Sequence, residues 1–352
     1  MIKIVRIFLC IFVLAAVFSC SQQSSYVTIT GFAQGGTYAV KFNSEGLDCS
    51  IEEVRDSIDA LLSSIDNSLS GYNKKSLLSR FNAGEPVVPD LFFNEIYRLA
   101  YNLFEDTGGV VDVAAAPLFD IWGFGFANDS LPSADKVRDV MQVCGMSRLR
   151  RDMTNVISDD GMLYPASLLV EQGELPELNY NAIAQGYSCD VVARFLYSLG
   201  VKDMLVDIGE IFCDGVNPSG QPWTLGIDRP ADGNNQPGSQ IQGIFRAPEG
   251  PHGIVTSGNY RKFYVRDGKK YAHTIDPRTG YPVEHSLLSA TIVAPDATIA
   301  DAYATYCMVI GLDAACEYIE STPDLEGCLI YDDNGVFRTW TSSGFILDES
   351  AE

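Results

Sequence analysis

The sequence predicts an α+β fold, in which antiparallel strands and amphipathic helices are mixed. Turn signals at Gln34–Gly36, Arg266–Gly268 and Asp332–Gly335 each lie between two strand-like runs, which predicts hairpins. A long helix is predicted over Asp48–Leu69, where apolar residues recur at helical spacing. Because a doubly wound sheet needs regular alternation of strands and helices, which this chain lacks, the order of elements favours α+β.

The elements of the N-terminal half follow from local signals. Tyr26–Phe42 is predicted to be the first hairpin, and Ser50 with Glu53 forms a capping box at the start of the long helix. Further helices are predicted at Ser76–Phe81, Asp90–Phe104 and Ser133–Cys144, and a strand pair over Val156–Ser167.

The C-terminal half begins with the polar segment Asn179–Gly186, which leads into a predicted helix at Tyr187–Leu199. Leu205–Asp214 is predicted to be a strand that Gly209 interrupts. The remaining predicted strands are Trp223–Asp228, Gln240–Ala247, Gly253–Val265, Lys269–Ile275 and Leu288–Val293. Residues 229–239, between the first two of these strands, are predicted to form a loop. The chain is predicted to end with helices at Ile299–Ile310 and Asp313–Ser321 and a hairpin at Leu329–Trp340.

Residues 1–19 have the pattern of an export signal. A basic start is followed by the apolar run Ile7–Phe18, which is short for a membrane span, and then by Ser19 and Cys20. A small residue before cysteine is typical of a bacterial lipoprotein signal, so Cys20 is the expected site of lipidation, with residues 20–25 as a linker and 26–352 as the folded domain. A plain signal peptide with an incidental cysteine is the alternative.

Charge and cysteine content narrow the functional classes. A net charge of −22 over 352 residues argues against nucleic acid or an anionic membrane surface as an electrostatic partner. Of nine cysteines, seven remain after Cys10 and Cys20 are set aside, and their irregular spacing does not suggest a zinc site. Their disulfide state is left open by the sequence.

Two segments carry candidate chemistry. Asp301 and Thr305 are one helical turn apart, so their oxygens share a face, and such ligands suit Mg²⁺ held together with substrate phosphates. The free N–H groups at the start of this helix would also suit phosphate. The alternative is that Asp301 caps the helix and Thr305 packs. The second segment is His273–Gly280, a strand that runs into a turn.

Seven motifs in this order resemble the ApbE family, the bacterial FAD:protein FMN transferases. The resemblance runs from about Gly35 to the final hairpin. Its motifs are Gly36–Tyr38, Ser70–Tyr72, Pro117–Gly125, Asn181–Tyr187, Thr256–Tyr260, His273–Gly280 and Asp301–Thr305.

The resemblance implies an α+β fold with a T-fold-like core and a bacterial membrane lipoprotein facing the periplasm. Such an enzyme binds FAD and Mg²⁺. It moves FMN from FAD onto a Thr or Ser hydroxyl of an acceptor flavoprotein, a subunit of a membrane redox complex, and leaves a phosphoester and AMP. The alternatives are an FAD pyrophosphatase that gives FMN and AMP, and an FAD-binding lipoprotein without catalysis.

Matching motif positions implies roles for individual residues. The metal ligands would be the Asp301 carboxylate, the Thr305 hydroxyl and the Ala182 carbonyl, and His273 would be the general base, with a turn-fixing role as the alternative. The flavin site would include Gly35, Tyr72, Ala114, Ala115, Ala116, Asn179, Gln185 and Ile275. The sequence departs from the family pattern at Gly35, where methionine is usual, at Asn179, where an acidic residue is usual, and at Glu210, where a second glycine is usual.

Overall fold

A computed structural model describes residues 25–124, 131–231, 234, 238–259, 263–266 and 269–349 of the protein. The signal segment 1–19, Cys20 and most of the 20–25 linker lie outside the described residues. Within the described residues, no helix combines the length and the apolar composition that crossing a membrane requires.

The centre of the fold is an eight-stranded antiparallel sheet in the order β1-β2-β3-β4-β7-β12-β13-β14. Its strands are β1 (Tyr26–Ala33), β2 (Gly36–Asn43), β3 (Met204–Asp207), β4 (Ile211–Asp214), β7 (His252–Gly258), β12 (Leu287–Ala294), β13 (Glu326–Asp333) and β14 (Val336–Thr341). Three smaller sheets contain β5 (Thr224–Asp228), β6 (Ile241–Arg246) and β15 (Leu347–Glu349), β8 (Phe263–Arg266) and β9 (Lys269–Ala272), and β10 (Ile275–Asp276) and β11 (Tyr281–Pro282).

The described residues also form eight α-helices. They are α1 (Ile51–Leu69), α2 (Leu77–Asn82), α3 (Leu91–Asp106), α4 (Ala116–Ile121), α5 (Ala134–Met141), α6 (Ala184–Ser198), α7 (Ala297–Ile310) and α8 (Leu312–Ser321).

Helices cover one face of the large sheet. α1 and α6 pack on β1 to β4 through a cluster that includes Ile58, Val192 and Val40. α7 and α8 pack on β7, β12 and β13 through a second cluster, which includes Met308 and Ala290. Apolar side chains of β4, β7, β12 and β13 also pack against the β5-β6-β15 sheet. The sheet is therefore covered by helices on one side and by a small sheet on part of the other.

The α+β prediction is confirmed, and so are its hairpins. β1 and β2 pair in register around the turn at Gln34 and Gly35, and β13 and β14 pair around Asn334 and Gly335. The capping box at the start of α1 is present, because Ser50 Oγ accepts from the Glu53 N–H and the Glu53 carboxylate accepts from the Ser50 N–H.

Four predicted strand regions are wrong in detail. One is Lys269–Ile275, which divides into β9 and β10 of two different sheets. Val156–Ser167 is not a strand pair: it has isolated bridges at Ile157 and Leu163 and a 3₁₀ turn at Pro165–Leu168, since proline lacks the N–H that a ladder needs. Leu205–Asp214 is two antiparallel strands rather than one, because Gly209 has a φ of 90° and reverses the chain. Gly253–Val265 also divides, into β7 of the large sheet and β8 of a separate hairpin.

Candidate active site

Two neighbouring cavities lie where the N-terminal ends of α6 and α7 approach the segment before β10. Cavity A has a volume of about 330 Å³ and cavity B of about 540 Å³. Both fall in the range of small-molecule sites. They share the lining residues Tyr72, Asn181 and Gln185, so an extended ligand can contact both.

Most of the residues singled out by the sequence line these cavities. Gly35 lines cavity B, beside α1 and the Ser70–Tyr72 loop. The lining of cavity A includes Tyr72, Ala116, Asn179, Ala182, Gln185, His273, Ile275, Asp301 and Thr305. Ala114 and Ala115 are instead buried in two hydrophobic clusters, where their side chains serve packing.

α7 approaches its neighbours very closely at Ala297. A Cβ at Gly186 of α6 would lie 2.2 Å from the Ala297 carbonyl oxygen, and a Cβ at Gly253 of β7 would lie 2.3 Å from the Ala297 nitrogen. Glycine is required at both positions because any side chain would push α7 away. These two contacts fix where Asp301 and Thr305 enter cavity A.

Asp301 is a buried carboxyl group that has one hydrogen-bond donor, a neutral one, among the described residues. It is 5% exposed, and its Oδ2 accepts from the Gly186 N–H at 3.1 Å. Burial raises the pKa of Asp301 well above the usual range. The hydrogen bond from Gly186 lowers this pKa, and the negative charge of the nearby Asp190 raises it further. Among the described residues, no Lys, Arg or His forms an ion pair with Asp301. Its charged form is therefore costly unless a cation binds.

The N–H groups at the start of α7 are not free for phosphate, which corrects one expectation from the sequence. Asp190 of α6 accepts from the Ala297 and Thr298 N–H groups at 2.8 and 2.9 Å, and Asp296 accepts from the Ile299 N–H at 2.8 Å. Sequence reasoning missed Asp190. The available signal was a carboxylate on an otherwise buried stretch of α6.

Residues with hydroxyl groups line cavity A together with Asp301. Thr305 Oγ1 lies 3.5 Å from Ser257 Oγ of β7, and Thr256 Oγ1 lies 2.8 Å from Thr291 Oγ1 of β12. Because Thr305, Ser257 and Thr256 all line the cavity, this side presents oxygen atoms to a ligand.

His273 reaches cavity A from the connection between β9 and β10. Its ring makes an edge contact with Phe124, with the centroids 6.3 Å apart. The turn that follows is stabilised by Asp276, whose carboxylate accepts from the Arg278 backbone N–H and guanidinium at 2.9 to 3.0 Å. The turn predicted within His273–Gly280 is thus present and is held by Asp276.

Asp112 is a second carboxyl group in cavity A that sequence reasoning missed. It accepts from the Ala114 and Met146 N–H groups, and burial raises its pKa to about 6 against these bonds. Its only sequence signal was an acidic residue between two valines. Glu210, one of the three departures from the family pattern, also lines cavity A.

The sequence model of the ApbE family matches residues 34–329, which is most of the chain and all of both cavities. The chain belongs to the ApbE family.

ApbE relatives match over nearly their full length. A Haemophilus influenzae protein named FAD:protein FMN transferase is 31% identical over 337 residues, 93% of this chain and 92% of its own. An Escherichia coli K12 protein of the same name is 33% identical over 304 residues, 83% of this chain and 81% of its own.

Solved ApbE structures have the same fold. The flavin transferase ApbE from Vibrio cholerae superposes with a TM-score of 0.73 at 29% identity, over 90% of this chain and 97% of that one. The apo form of the Pseudomonas stutzeri flavinyl transferase ApbE gives 0.75 at 30% identity, over 90% and 95%.

The donor set of cavity A fits a hard divalent cation. Asp301, Thr305 and the Ala182 carbonyl all offer oxygen, and the described residues contain no cluster of three or more His, Cys, Asp or Glu side chains that would make a closed metal cage. Mg²⁺ is commonly held by one or two carboxylates and completed by substrate phosphates. The buried Asp301 carboxyl group, which pairs with no basic side chain of the described residues, is the observation that favours such an ion.

Proposed function

We propose that the protein is an FAD:protein FMN transferase that works with Mg²⁺. The observation that carries this proposal is the meeting of Asp301, Thr305 and His273 at cavity A in a chain of the ApbE family. The proposed products are AMP and an acceptor flavoprotein that carries FMN through a phosphoester on Thr or Ser.

The reaction exchanges the phosphoanhydride bond of FAD for a phosphoester bond to the acceptor. The acceptor hydroxyl oxygen bonds to the phosphorus on the FMN side of the FAD pyrophosphate, the bond from that phosphorus to the bridging oxygen breaks, and AMP leaves. Such a transfer depends on positioning and on stabilisation of charge more than on covalent chemistry by the protein. Mg²⁺, when bound by Asp301, Thr305 and the Ala182 carbonyl, would neutralise pyrophosphate charge as a Lewis acid.

His273 is the proposed base. A Thr or Ser hydroxyl is a weak nucleophile, and histidine takes a proton near neutral pH. His273 lines the same cavity as Asp301, so it can accept the hydroxyl proton as the new bond forms. Tyr72, Asn179, Gln185 and Ile275 would hold the FAD in the two cavities, with Gly35 in the lining of cavity B.

One assay separates this function from its alternatives. Purified protein is incubated with FAD and Mg²⁺, with and without a candidate acceptor flavoprotein subunit. Transfer predicts AMP together with a mass gain of one FMN on an acceptor Thr or Ser peptide. Free FMN and AMP without an acceptor would indicate a pyrophosphatase, and FAD binding with no AMP would indicate a binding protein. Asp301→Ala is the negative control and should abolish AMP formation.

We also propose that the protein is a lipoprotein held through Cys20 at a bacterial membrane and facing the periplasm. The support is the signal pattern of residues 1–19 and the small residue before Cys20. This anchor would bring the enzyme to acceptor subunits of membrane redox complexes.

A further inference from the structure

The N-terminal ends of α6 and α7 are joined by two reciprocal contacts. In each contact, a carboxylate within the first two turns of one helix accepts from one or two backbone N–H groups near the start of the other. Asp190 of α6 binds the start of α7, and Asp301 of α7 binds Gly186 of α6. One of these two carboxylates is a proposed metal ligand, and the other has no role in the function proposed above.

Asp190 uses both of its carboxylate oxygens in this contact. Oδ1 accepts from the Ala297 N–H at 2.8 Å, and Oδ2 accepts from the Thr298 N–H at 2.9 Å and from the Thr298 hydroxyl. Asp190 is 6% exposed and Thr298 is 3% exposed. Three donors on two adjacent residues fix both the distance and the rotation of α7 relative to α6.

The relative position of these helix ends determines the proposed metal site. The Ala182 carbonyl lies just before α6, whereas Asp301 and Thr305 lie on α7. The three oxygens can bind one ion only if the two helices keep their spacing. Gly186 allows the close approach, and Asp190 holds it.

We propose that Asp190 is a positioning residue, an inference that rests on the proposed function. It holds the ligands on α7 at the distance from the Ala182 carbonyl that a shared ion requires. It acts through the backbone of Ala297 and Thr298 and is not itself a metal ligand.

An ordinary helix cap would not explain this arrangement. α7 already has its own N-cap, Asp296, whose side chain accepts from the Ile299 N–H at 2.8 Å. Asp296 belongs to the same chain segment as α7, so it stabilises the helix but does not link it to α6. Asp190 therefore adds a connection between helices, which a cap does not.

The two aspartates give a matched pair of variants, Asp190→Asn and Asp296→Asn. Asparagine is as good an N-cap as aspartate, so Asp296→Asn should keep the Ile299 bond. At position 190 the amide can accept at one oxygen only, and its NH₂ group would face a backbone N–H. The link between α6 and α7 is then weakened while side-chain size is kept.

The test measures Mn²⁺ binding to the purified protein by electron paramagnetic resonance. The melting temperature and the kcat and KM for FAD cleavage are measured in parallel. Asp190→Asn should lower the affinity for Mn²⁺ by roughly 10–100-fold, as is typical when the residues that orient metal ligands are removed. Asp296→Asn should stay within about two-fold of the wild type, since its cap is retained. At saturating Mn²⁺ much of the lost kcat should return, which a general loss of stability would not produce.

Three outcomes would overturn the proposal. They are a folded Asp190→Asn protein with wild-type Mn²⁺ affinity, an equal loss in Asp296→Asn, and a wild type that does not bind Mn²⁺. Only the third would also contradict the proposed metal site. If Asp190→Asn does not fold, Thr298→Val is the replacement test. It removes only the hydroxyl donor to Asp190 and should lower the affinity for Mn²⁺ by about five-fold. Unchanged affinity in that variant would also overturn the proposal.

Discussion

Asp301 and His273 enter cavity A from different kinds of structure. Asp301 projects from the second turn of α7, whose start is packed against Gly186 and Gly253. His273 lies outside β9 and β10 and contacts Phe124. The proposed metal ligand therefore lies on a helix and the proposed base on a short connection, which suits the proposed roles because the base would have to follow the acceptor hydroxyl.

Replacing the proposed base tests this assignment. His273→Asn keeps hydrogen bonding but cannot take a proton, so single-turnover transfer should fall by roughly 10²–10⁴-fold with little change in FAD affinity. The wild-type rate should rise with pH near the pKa of histidine, and the variant should lose this rise. His252→Asn, at a histidine whose ring contacts the Glu249 carbonyl, is the matched control. A His273→Asn protein that transfers FMN at the wild-type rate would contradict the assignment.

The sequence indicated some site residues and not others for a physical reason. Asp301 and Thr305 could be predicted as a pair because helical spacing alone puts them on one face. Asp190 and Asp112 could not be predicted in this way, because they bind backbone N–H groups of distant segments. The partners of Asp190 are more than 100 residues away in the chain, and Met146, which donates to Asp112, is 34 residues away. The side chains of Ala114 and Ala115 belong to the core, which a run of three alanines does not reveal.

At the level of elements, two glycines control the position of α7. Gly253→Ala would place a Cβ 2.3 Å from the backbone of Ala297, so β7 and α7 would have to separate. We expect the free energy of unfolding to fall by about 1–3 kcal/mol, as for other overpacked sites. Chemical denaturation measures this directly.

Gly36→Ala is the control for that experiment. Its Cβ would meet no atom within 4 Å, and its backbone does not need positive φ. Stability should therefore be unchanged or rise by up to about 1 kcal/mol, because alanine restricts the unfolded chain. Equal losses in both variants would mean that the contact at Ala297 is not what requires glycine.

Elements with strong local signals were predictable, and sheet assignments were not. The capping box of α1 and the turn at Gln34–Gly35 are encoded within a few residues. By contrast, β7 joins β4 and β12, whereas the following β8 pairs with β9 in a separate sheet. Nothing local to Gly253–Val265 indicates where one sheet ends and the next begins.

For the whole molecule, buried carboxyl groups link stability to pH. Burial raises the pKa of Asp112 and of Asp190 to about 6, from 3.8. Between these values the folded protein holds protons that the unfolded chain releases, so stability is present at low pH and is lost as pH rises. Without metal, the free energy of unfolding should fall between about pH 4 and pH 7, by up to about 3 kcal/mol per group.

Denaturation in EDTA across this pH range is the measurement, and Asp112→Asn is the informative variant. The amide still accepts from the Ala114 N–H but does not titrate, so the slope of stability against pH should become shallower. A slope identical to that of the wild type would contradict the raised pKa of Asp112.

The proposed anchor predicts where the protein is found in the cell. Lipid chains contribute about 0.8 kcal/mol per buried CH₂, so wild-type protein should fractionate with membranes and incorporate labelled fatty acid. Cys20→Ser should carry no label and should be soluble or remain uncleaved. Wild-type protein that is wholly soluble and unlabelled would contradict the anchor.

The β1–β2 hairpin separates Tyr26, the first residue of β1, from the part of cavity B that Gln34 and Gly35 line. Tyr26 begins β1, and the turn at its other end supplies Gln34 and Gly35 to the cavity lining. Eight residues of strand span about 26 Å. A support, fusion partner or bilayer attached ahead of Tyr26 would thus sit one hairpin length from the cavity. Immobilising the enzyme through its N-terminus should therefore keep a support about one strand length away from the part of cavity B that Gln34 and Gly35 line.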